Sequence, residues 1–466
     1  MKVMSSDPGY VLFLAFVASL GGILFGYDTA VISGTTADVS AQFGLDEIRV
    51  GWYVGCALLG SIAGVALAGM LSDVLGRKKA LIIASVLFSV SAIGCCFCHG
   101  FSDLVAYRII GGVGTGIVSI VSPMYISEIS PARRRGTMVG LYQLAVTAGL
   151  LLAYLINFII LKKGVGAMYA SPFFVKYFSD EMWRGMLGSE SVVALLFMVV
   201  TCVIPESPRW LILKKRADEA MAVFRRIRPD GQGAEEEYLL ASRSIEGEVH
   251  SEWNSLLEKG IRKAVLWGSL IAILGQFMGV NAVLYYGPDI FAKAGLASLD
   301  SSLSTVYVGL VNMCTTVLAV FIIDKVGRKK LIYYGVSGMI ACLICIGIYF
   351  MCGEAMGLSP LLLLALFLLY IFCQAVSISA VVFVLLSEMY PNRVRGIAMS
   401  IAGMALWVGT YLIGQFTPWC MSALTPSGTF FLFAFMCLPY MYIMWRKIPD
   451  TTGKPLEEIE LFWKEK

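Results

Sequence analysis

Charged side chains are scarce in this sequence. Lys, Arg, Asp and Glu make up 15% of its 466 residues, whereas a soluble domain carries about 25%. Hydrophobic residues make up 58%, and most of them lie in runs of about 20 residues, the length that spans a bilayer. An extended polar section occurs only once, between residues 205 and 263. The composition excludes a soluble globular protein and predicts an integral membrane protein.

Motifs of catalytic and metal sites are absent as well. The sequence has no Walker A loop, no zinc-protease motif and no nucleophile elbow, which argues against ATP hydrolysis and other enzymatic chemistry. Most of the twelve cysteines lie inside apolar runs, where a thiol acts as a small hydrophobic group. The cluster at residues 95–99, three cysteines and a histidine, ends such a run and has no second ligand pair. We expect no enzymatic activity, no metal, no other cofactor and no nucleic-acid partner.

Two sequence motifs each occur twice in the chain. Asp-x-x-Gly-Arg-Lys-Lys stands at residues 73–79 and again at 324–330, each time between two long apolar runs. Ser-Glu-x-x-Pro-x-Arg-x-Arg-Gly follows each copy, at residues 127–136 and 387–396. Two motifs in the same order at nearly the same offset indicate an internal duplication. We therefore expect two homologous halves with equivalent charged loops.

Six apolar runs of membrane-spanning length lie in each half. The predicted spans are near residues 10–34, 51–72, 80–98, 103–126, 137–161 and 186–204, then 264–292, 302–323, 331–352, 360–386, 396–417 and 428–446. This pattern predicts an all-α membrane protein with twelve transmembrane helices in two pseudo-symmetric six-helix bundles. The predicted domains are an N-terminal bundle (1–204), a linker of short amphipathic cytoplasmic helices (205–263), a C-terminal bundle (264–446) and a cytoplasmic tail (447–466).

The short loops between the spans predict the orientation. Lys and Arg cluster in the loops at residues 77–79, 133–135 and 325–330, all on the side shared by both termini, whereas the opposite loops carry scattered cations. By the positive-inside rule the clustered side is cytoplasmic. We expect a multi-pass protein of the cell (inner) membrane, in contact with the lipid bilayer, with both termini in the cytoplasm and functional as a monomer.

Few charged residues lie within the apolar runs, and three of them are candidates for a buried site. Asp28 is deep in the first span, Arg108 opens the fourth, and Glu190 is near the predicted outer end of the sixth, where a merely interfacial position stays open. A charge at the bilayer centre costs at least about 2.5–3.5 kcal/mol, so we expect Asp28 and Arg108 to pair. The pair is either a static link between two helices or a protonation switch, because burial disfavours the ionised carboxyl while the guanidinium favours it.

Uncharged polar and aromatic residues supply the other candidate ligands. They are Gln143 in the fifth span, Gln276, Asn281, Tyr285 and Tyr286 in the seventh, Asn312 in the eighth, Gln374 in the tenth and Trp407 in the eleventh. Amides hydrogen-bond hydroxyl groups in both directions, and aromatic faces pack on C–H surfaces, which suits a neutral, hydroxyl-rich ligand. For each amide alone, helix–helix hydrogen bonding is an equally good explanation. The spacing of Gln276, Asn281 and Tyr285 predicts that they lie roughly along one helix face.

Four motifs resemble those of a known family. They are Gly-Tyr-Asp-Thr-Ala-Val-Ile-Ser-Gly at residues 26–34, Asp-x-x-Gly-Arg-Lys at 73–78, Pro-Glu-Ser-Pro-Arg-Trp-Leu at 205–211 and Asn-x-x-x-Tyr-Tyr at 281–286. With them the sequence resembles, over nearly its whole length, the sugar porters of the major facilitator superfamily, and most of all the bacterial xylose–proton symporters. The resemblance implies two six-helix bundles that rock about a central site and open it alternately to each side.

The resemblance also implies roles for individual residues. Asp28 corresponds to the carboxylate that such symporters protonate, and Arg108 to its partner. Sugar-contacting positions correspond to Phe25, Gln143, Gln276, Asn281, Tyr285, Asn312 and Trp407, and to Phe383, which stands where a tryptophan is typical. The cytoplasmic charge network that latches the outward-open state corresponds to Asp73, Arg77, Glu128, Arg135, Glu206, Arg209, Arg328, Glu388 and Arg395.

The sequence departs from the xylose-type pattern in its amides. Leu150, Gly275 and Leu406 stand where those porters carry further glutamines, and residues 378–379 are Ile-Ser in place of the usual Trp-Gly pair. Each lost hydroxyl partner is worth about 1 kcal/mol, so the identity of the sugar stays open. Gln374, Ser377 and Thr147 are candidates to compensate.

We therefore expect proton-coupled symport of a monosaccharide, a pentose or hexose similar to xylose, by alternating access. A facilitative uniporter in which Asp28 serves only packing stays open as an alternative, and so does a porter of another small neutral polyol. A sugar sensor that binds without transporting is disfavoured, because the polar segment after the last predicted span is short.

Overall fold

The computed structural model of the protein describes residues 8–131, 135–164, 171, 175–227, 231–246, 256, 258–353, 355–390, 394–450 and 462–463. Within these residues, the regular elements are all helical. Besides a 3-10 turn at Ile32–Gly34 and a π-helical turn at Lys176–Asp180, the α-helices of the first half and the linker are α1 Pro8–Val31, α2 Thr36–Phe43, α3 Glu47–Leu75, α4 Arg77–Phe97, α5 Phe101–Ile129, α6 Arg135–Gly164, α7 Met182–Val203, α8 Pro208–Leu213, α9 Ala217–Ile227 and α10 Gly231–Glu246. In the second half they are α11 Lys259–Gln276, α12 Val280–Lys293, α13 Ser298–Val326, α14 Arg328–Cys352, α15 Pro360–Gln374, α16 Ala380–Met389, α17 Arg395–Ala423 and α18 Thr425–Arg446.

The predicted spans are confirmed. Twelve helical segments of the described chain are long and apolar enough to cross a membrane, and their ends differ from the predicted ones by a few residues. Two of these spans contain two helices each. The seventh consists of α11 and α12, and the tenth consists of α15 and α16, which a π-helical turn at Ala375–Ser379 joins. The chain is an all-helical, multi-pass membrane protein.

Helices α8 to α10 confirm the prediction of short helices between the halves. Helix α9 is amphipathic, because Val223, Phe224 and Ile227 are buried while Arg225 and Arg226 on its other face are exposed. Trp210 and Leu211 of α8 pack in the same hydrophobic core as α1, α4 and α5. The linker is therefore attached to the first half through apolar side chains, while the boundaries of the four predicted domains stay predictions.

The described chain divides into two compact units. The first contains Met1–Asp28, Leu59–Ala153 and Leu187–Val249. Its helices α4 and α5 pack along each other, and fully buried Leu14, Phe88, Tyr125 and Phe197 belong to its core. This unit therefore brings together most of the residues of spans one to six with α8 and α9.

The second unit contains Thr29–Leu58, Tyr154–Met186 and His250–Lys466. Phe430 is central to its aromatic packing, stacked on Phe350 at a centroid distance of 5.6 Å and edge-on to Phe367 at 5.4 Å. The Gln415 side-chain amide on α17 donates to the Ile48 carbonyl at 2.9 Å. Segments from the first half, which include α2 and the beginning of α3, therefore pack within this unit against second-half helices.

The seventh span is interrupted, so the prediction of one continuous helix face for Gln276, Asn281 and Tyr285 is wrong. Helix α11 ends at Gln276, and α12 begins after Gly279, whose φ of +90° favours glycine. A Cβ at Gly279 would lie 2.3 Å from the Cδ2 atom of Phe433. The backbone therefore turns between the two helices at a position where only glycine fits without strain.

We expect Gly279→Ala to lower the free energy of unfolding by more than about 1 kcal/mol, because it adds both left-handed backbone strain and a clash with Phe433. Thermal unfolding of the purified protein in detergent measures this loss. Gly295→Ala is the matched control, since Gly295 has φ +89° but no atom within 4 Å of a built Cβ. An equal loss of stability in the two variants contradicts the steric part of this explanation.

Candidate proton and sugar sites

Asp28 and Arg108 form the predicted ion pair inside the first unit. The distance from Arg108 Nη1 to Asp28 Oδ1 is 2.5 Å, and the two side chains are 4% and 6% exposed, respectively. The Thr115 hydroxyl lies 3.2 Å from Asp28 Oδ2, to which it donates. Thr115 follows Arg108 by two helical turns on α5, so the same helix face supplies both partners. Spacing from Arg108 was therefore a usable signal for Thr115, which the sequence analysis missed.

Glu190 is a second buried carboxyl group near this pair. It is 3% exposed and therefore buried within the protein, while its depth in the membrane stays a prediction. Its charge interacts with the charges of both Asp28 and Arg108. The described part of the chain offers no hydrogen-bond partner to its Oε1 atom. Two carboxyl groups and one guanidinium thus lie in the same desolvated environment.

Gln276 and Asn281 meet across the break in the seventh span. The Asn281 amide nitrogen donates to Gln276 Oε1 at 2.7 Å, and the Thr410 hydroxyl is 3.2 Å from the same oxygen. With these bonds, the Gln276 NH2 group and the Asn281 carbonyl oxygen are the donor and acceptor that the pair offers to a ligand. Thr410 lies one helical turn after Trp407 on α17, and the sequence analysis did not select it.

The remaining predicted sugar residues differ in exposure. Tyr285, Trp407 and Asn312 are buried in the second unit, whereas Phe383 of the same unit is 51% exposed. Phe25, partly buried, and Gln143, exposed, belong to the first unit.

The candidates for compensating the missing glutamines have partners of their own. The hydroxyls of Ser377 and Thr147 donate to carbonyls of their own helical segments, at Cys373 and Leu144, respectively. The Gln374 amide nitrogen is 3.5 Å from the Ser379 hydroxyl. Ser377 is 0% exposed, so it is the least suited of the three to contact a ligand.

The first copy of the repeated loop forms a buried charge cluster. Arg77 donates to the Glu128 carboxylate through Nε and Nη2, the latter at 3.0 Å, and to Asp73 Oδ1 at 3.2 Å. The Arg77 and Glu128 side chains are 6% and 7% exposed, respectively, and that of Asp73 is 69% exposed. The Ser207 hydroxyl also donates to Glu128. Arg77 and Glu128 are therefore a desolvated pair, and Asp73 lies at its edge.

Glu206 binds at the first turn of α4. Its Oε1 atom accepts hydrogen bonds from the backbone N–H groups of Lys78, at 3.0 Å, and Ser207, at 2.9 Å. A carboxylate is favourable there because the first N–H groups of a helix lack intrahelical partners. Gly76, with φ +98°, is required for this contact, since a Cβ would lie within clash distance of the Glu206 carboxylate.

The second copy of the loop forms a more exposed cluster in the second unit. Arg328 Nη2 is 3.1 Å from Glu388 Oε1, with side-chain exposures of 16% and 23%. Arg395 Nη2 donates to the Tyr390 carbonyl at 3.3 Å. Arg209, at the start of α8 in the first unit, is partly buried. The side chain of Arg135 lies outside the described residues.

Comparisons with known proteins agree with this architecture. The profile of the sugar (and other) transporter family matches residues 14–463. The chain belongs to the sugar transporter family. This transporter is 35% identical over 459 residues to the arabinose-proton symporter of Bacillus subtilis, covering 98% of this chain and 96% of that one. It is also 35% identical over 495 residues to the D-xylose-proton symporter of Escherichia coli, with the same coverages.

Solved structures show the same fold. The xylose transporter XylE of Escherichia coli, in a partially occluded inward open conformation, matches with a TM-score of 0.83 and 33% identity. The match covers 96% of this chain and 100% of that one. The resemblance stated from the sequence motifs is confirmed, and the transporter has the major facilitator fold. It is not an enzyme.

We expect Arg77→Met to destabilise the transporter by about 3–5 kcal/mol, the cost of leaving a buried charge, here Glu128, without its partner. Arg328→Met is the matched variant at the repeated position. Its effect is expected to be smaller, because Glu388 is more accessible to water than Glu128. Thermal unfolding of both purified variants measures the difference. Equal losses would show that burial does not distinguish the two copies.

Proposed function

We propose that this transporter carries a neutral monosaccharide together with a proton across the cell membrane by alternating access. The observation that carries the proposal is the buried set of Asp28, Arg108 and Glu190. In the proposed orientation both termini are cytoplasmic, as the distribution of Lys and Arg in the loops predicts.

The charges of the buried set support proton binding. Two ionised carboxylates beside one guanidinium leave one uncompensated negative charge in a low-dielectric environment, where an unpaired ion is costly. Binding one proton to either carboxyl group removes the excess. Because Asp28 and Glu190 interact, the proton belongs to the pair rather than to one residue alone. A change in water access to this set is then sufficient to load or release the proton.

The energy of one coupled proton is sufficient for concentrative uptake. One elementary charge that crosses 100 mV releases about 2.3 kcal/mol. At about 1.36 kcal/mol per factor of ten, this supports roughly fifty-fold accumulation before any pH gradient contributes. A static ion pair, in contrast, gives a uniporter, which equilibrates sugar without accumulation.

The Gln276–Asn281 pair supports a neutral, hydroxylated substrate. It offers one donor group and one acceptor group, which match the hydroxyls of a sugar, and Tyr285 and Trp407 supply aromatic surface. Two related proteins are named as symporters of arabinose and of D-xylose, which are both pentoses. A pentose or a similar hexose is therefore the proposed class of substrate. No cofactor takes part in the proposal, and a monomer is sufficient for it.

The two loop clusters are proposed as the cytoplasmic gate. Arg77 with Glu128, and Arg328 with Glu388, are equivalent pairs at equivalent loops of the two halves. Their proposed role is to stabilise the outward-open state, with Asp73, Arg135, Glu206, Arg209 and Arg395 as further members of the network. Such charges have to exchange partners or water as the halves move, which suits positions near the membrane surface rather than its centre.

We expect Asp28→Asn to abolish accumulation of sugar while sugar exchange persists, because exchange requires substrate binding but no net proton movement. Uptake and counterflow in proteoliposomes, with and without an imposed pH gradient, separate the two activities. Unchanged accumulation in this variant rejects the switch role of Asp28, and gradient-independent uptake by the unmodified protein supports the uniporter.

Glu190→Gln tests the second carboxyl group. Removing its negative charge makes protonation of Asp28 beside Arg108 less favourable. The pH at which uptake is half-maximal is therefore expected to fall, since a higher proton concentration is needed to load the site. A pH profile of uptake measures this shift, and an unchanged profile shows that Glu190 does not take part in proton binding.

A panel of ligands tests the substrate class. Neutral aldopentoses, aldohexoses and polyols are each offered as competitors in a counterflow assay. We expect neutral monosaccharides to compete and the corresponding uronic acids and amino sugars not to compete, because Gln276, Asn281, Tyr285 and Trp407 provide no charge to pair with them. Gln276→Ala is expected to weaken competition about tenfold or more. Competition by polyols alone favours the alternative polyol porter.

A further inference from the structure

The Thr115 hydroxyl on α5 lies between two oxygen atoms. It is 3.2 Å from Asp28 Oδ2 and also 3.2 Å from the backbone carbonyl oxygen of Gly111, one helical turn earlier. A hydroxyl group carries one proton and two lone pairs, so it donates fully to only one of these oxygens at a time. Thr115 is 2% exposed. Rotation of the O–H bond alone therefore exchanges one buried hydrogen bond for another of equal length.

The two carboxyl oxygens of Asp28 differ in what they face. Oδ1 accepts from Arg108 Nη1, and Oδ2 accepts from the Thr115 hydroxyl. A proton on Oδ1 would lie against a guanidinium, which is a donor only, whereas a proton on Oδ2 meets a hydroxyl oxygen that is able to accept it. Oδ2 is therefore the oxygen at which a bound proton has a hydrogen-bond acceptor.

Other groups around Asp28 act on its proton through their charge. The Arg108 guanidinium favours the ionised carboxyl, and the Glu190 carboxyl, when it is ionised, favours the protonated one. The titratable and charged groups of the first unit near Asp28 are Arg108 on α5, Glu190 on α7, Cys95 on α4, Tyr142 on α6 and Tyr27 on α1 itself. Thr115 differs from these groups because it is neutral at every pH and bonds the carboxyl directly.

We propose that Thr115 is a positioning residue of the proton site, whose hydroxyl turns between Asp28 Oδ2 and the Gly111 carbonyl as the proton binds and leaves. While Asp28 is ionised, the hydroxyl donates to Oδ2. When Oδ2 takes up a proton, its new O–H group donates to Thr115 Oγ1, and the Thr115 hydroxyl donates to the Gly111 carbonyl. The inference rests on the proposed function for the binding of a proton at Asp28.

This exchange leaves the carboxyl of Asp28 with a hydrogen-bond partner in both protonation states. A buried polar group without a partner is costly, so a carboxyl that lost its donor on protonation would resist the change. The two bonds are not equal, however, because a hydrogen bond to an ionised group is roughly twice as strong as one between neutral groups. Thr115 therefore favours the ionised form of Asp28 while it still accommodates the protonated form.

The main test is an infrared titration of the full-length protein in lipid nanodiscs. The band of the protonated carboxyl, assigned to Asp28 by its loss in Asp28→Asn, measures the fraction of protein that holds the proton there. Thr115→Val keeps the branched shape and removes the hydroxyl. We expect the midpoint of the titration to rise by about 0.5 to 1 pH unit, because the ionised form loses the stronger bond. Thr115→Ser, which keeps the hydroxyl, is expected to restore the original midpoint.

The matched control is Thr417→Val on α17. Thr417 is 3% exposed, and its hydroxyl also donates to the carbonyl four residues earlier, that of Ile413, at 2.7 Å, but it belongs to the second unit. We expect this variant to leave the midpoint unchanged. An unchanged or lower midpoint in Thr115→Val, an equal rise in Thr115→Ser, or an equal rise in Thr417→Val each rejects the role of the Thr115 hydroxyl.

The pH dependence of uptake provides a second readout that a structural role alone would not move. In Thr115→Val the pH of half-maximal uptake is expected to rise by about 0.5 to 1 unit as well, opposite to the fall expected for Glu190→Gln. A packing defect instead lowers the maximal rate or the unfolding temperature at an unchanged pH profile, and this result contradicts the inference.

The infrared titration needs neither sugar nor a proton gradient, so it separates this inference from the proposed function. An Asp28 band that titrates in the unmodified protein but does not respond to Thr115→Val rejects the inference alone. A response to Thr115→Val in a protein without gradient-driven uptake supports the inference and rejects only the symport.

Discussion

The ion pair between Asp28 and Arg108 is the interaction on which the proposed mechanism depends. Hydrocarbon does not solvate charge, so each of these groups is tolerated in the membrane interior mainly because the other is there. Glu190 makes the balance incomplete, since three ionised groups cannot cancel. An environment that holds almost, but not quite, enough compensating charge responds strongly to one proton. The low dielectric that makes these charges costly to bury therefore also makes their electrostatic energy sensitive to the binding of one proton.

The internal duplication separates the parts of the molecule that repeat from those that do not. In both copies of the repeated loop an arginine forms an ion pair with a glutamate, but Arg77 and Glu128 are more deeply buried than Arg328 and Glu388. The difference arises because the segment after the sixth span folds back in the first unit, where Ser207 donates to Glu128. The ion pairs of the two equivalent motifs therefore differ in interaction energy, because each depends on the segments that pack around it.

Interruption of helices is the second physical theme of the fold. In a membrane, every backbone group needs a partner, so a break in a helix is tolerated only where other groups satisfy the exposed N–H and C=O groups. The seventh span shows this twice. Gly279 ends the regular helix and allows Gln276 and Asn281 to meet, and Pro288 leaves a carbonyl that Tyr154 bonds. The amide pair proposed to bind the sugar depends on the break at Gly279, and the hydrogen bond from Tyr154 depends on Pro288.

The sequence by itself determined the membrane class, the twelve spans, the duplication, the family and the pairing of Asp28 with Arg108. These depend on properties that are local or repeated, such as the length of an apolar run, or on the scarcity of charge, which leaves Arg108 as the nearest available partner. The tertiary structure alone decided that Glu190 is buried, that the seventh span is broken at Gly279, that Thr410 bonds Gln276 and that Tyr154 bonds the Leu284 carbonyl. Those facts depend on which helix faces meet, and the apolar composition of a span carries little information about its packing, because its lipid-facing and buried faces are equally hydrophobic.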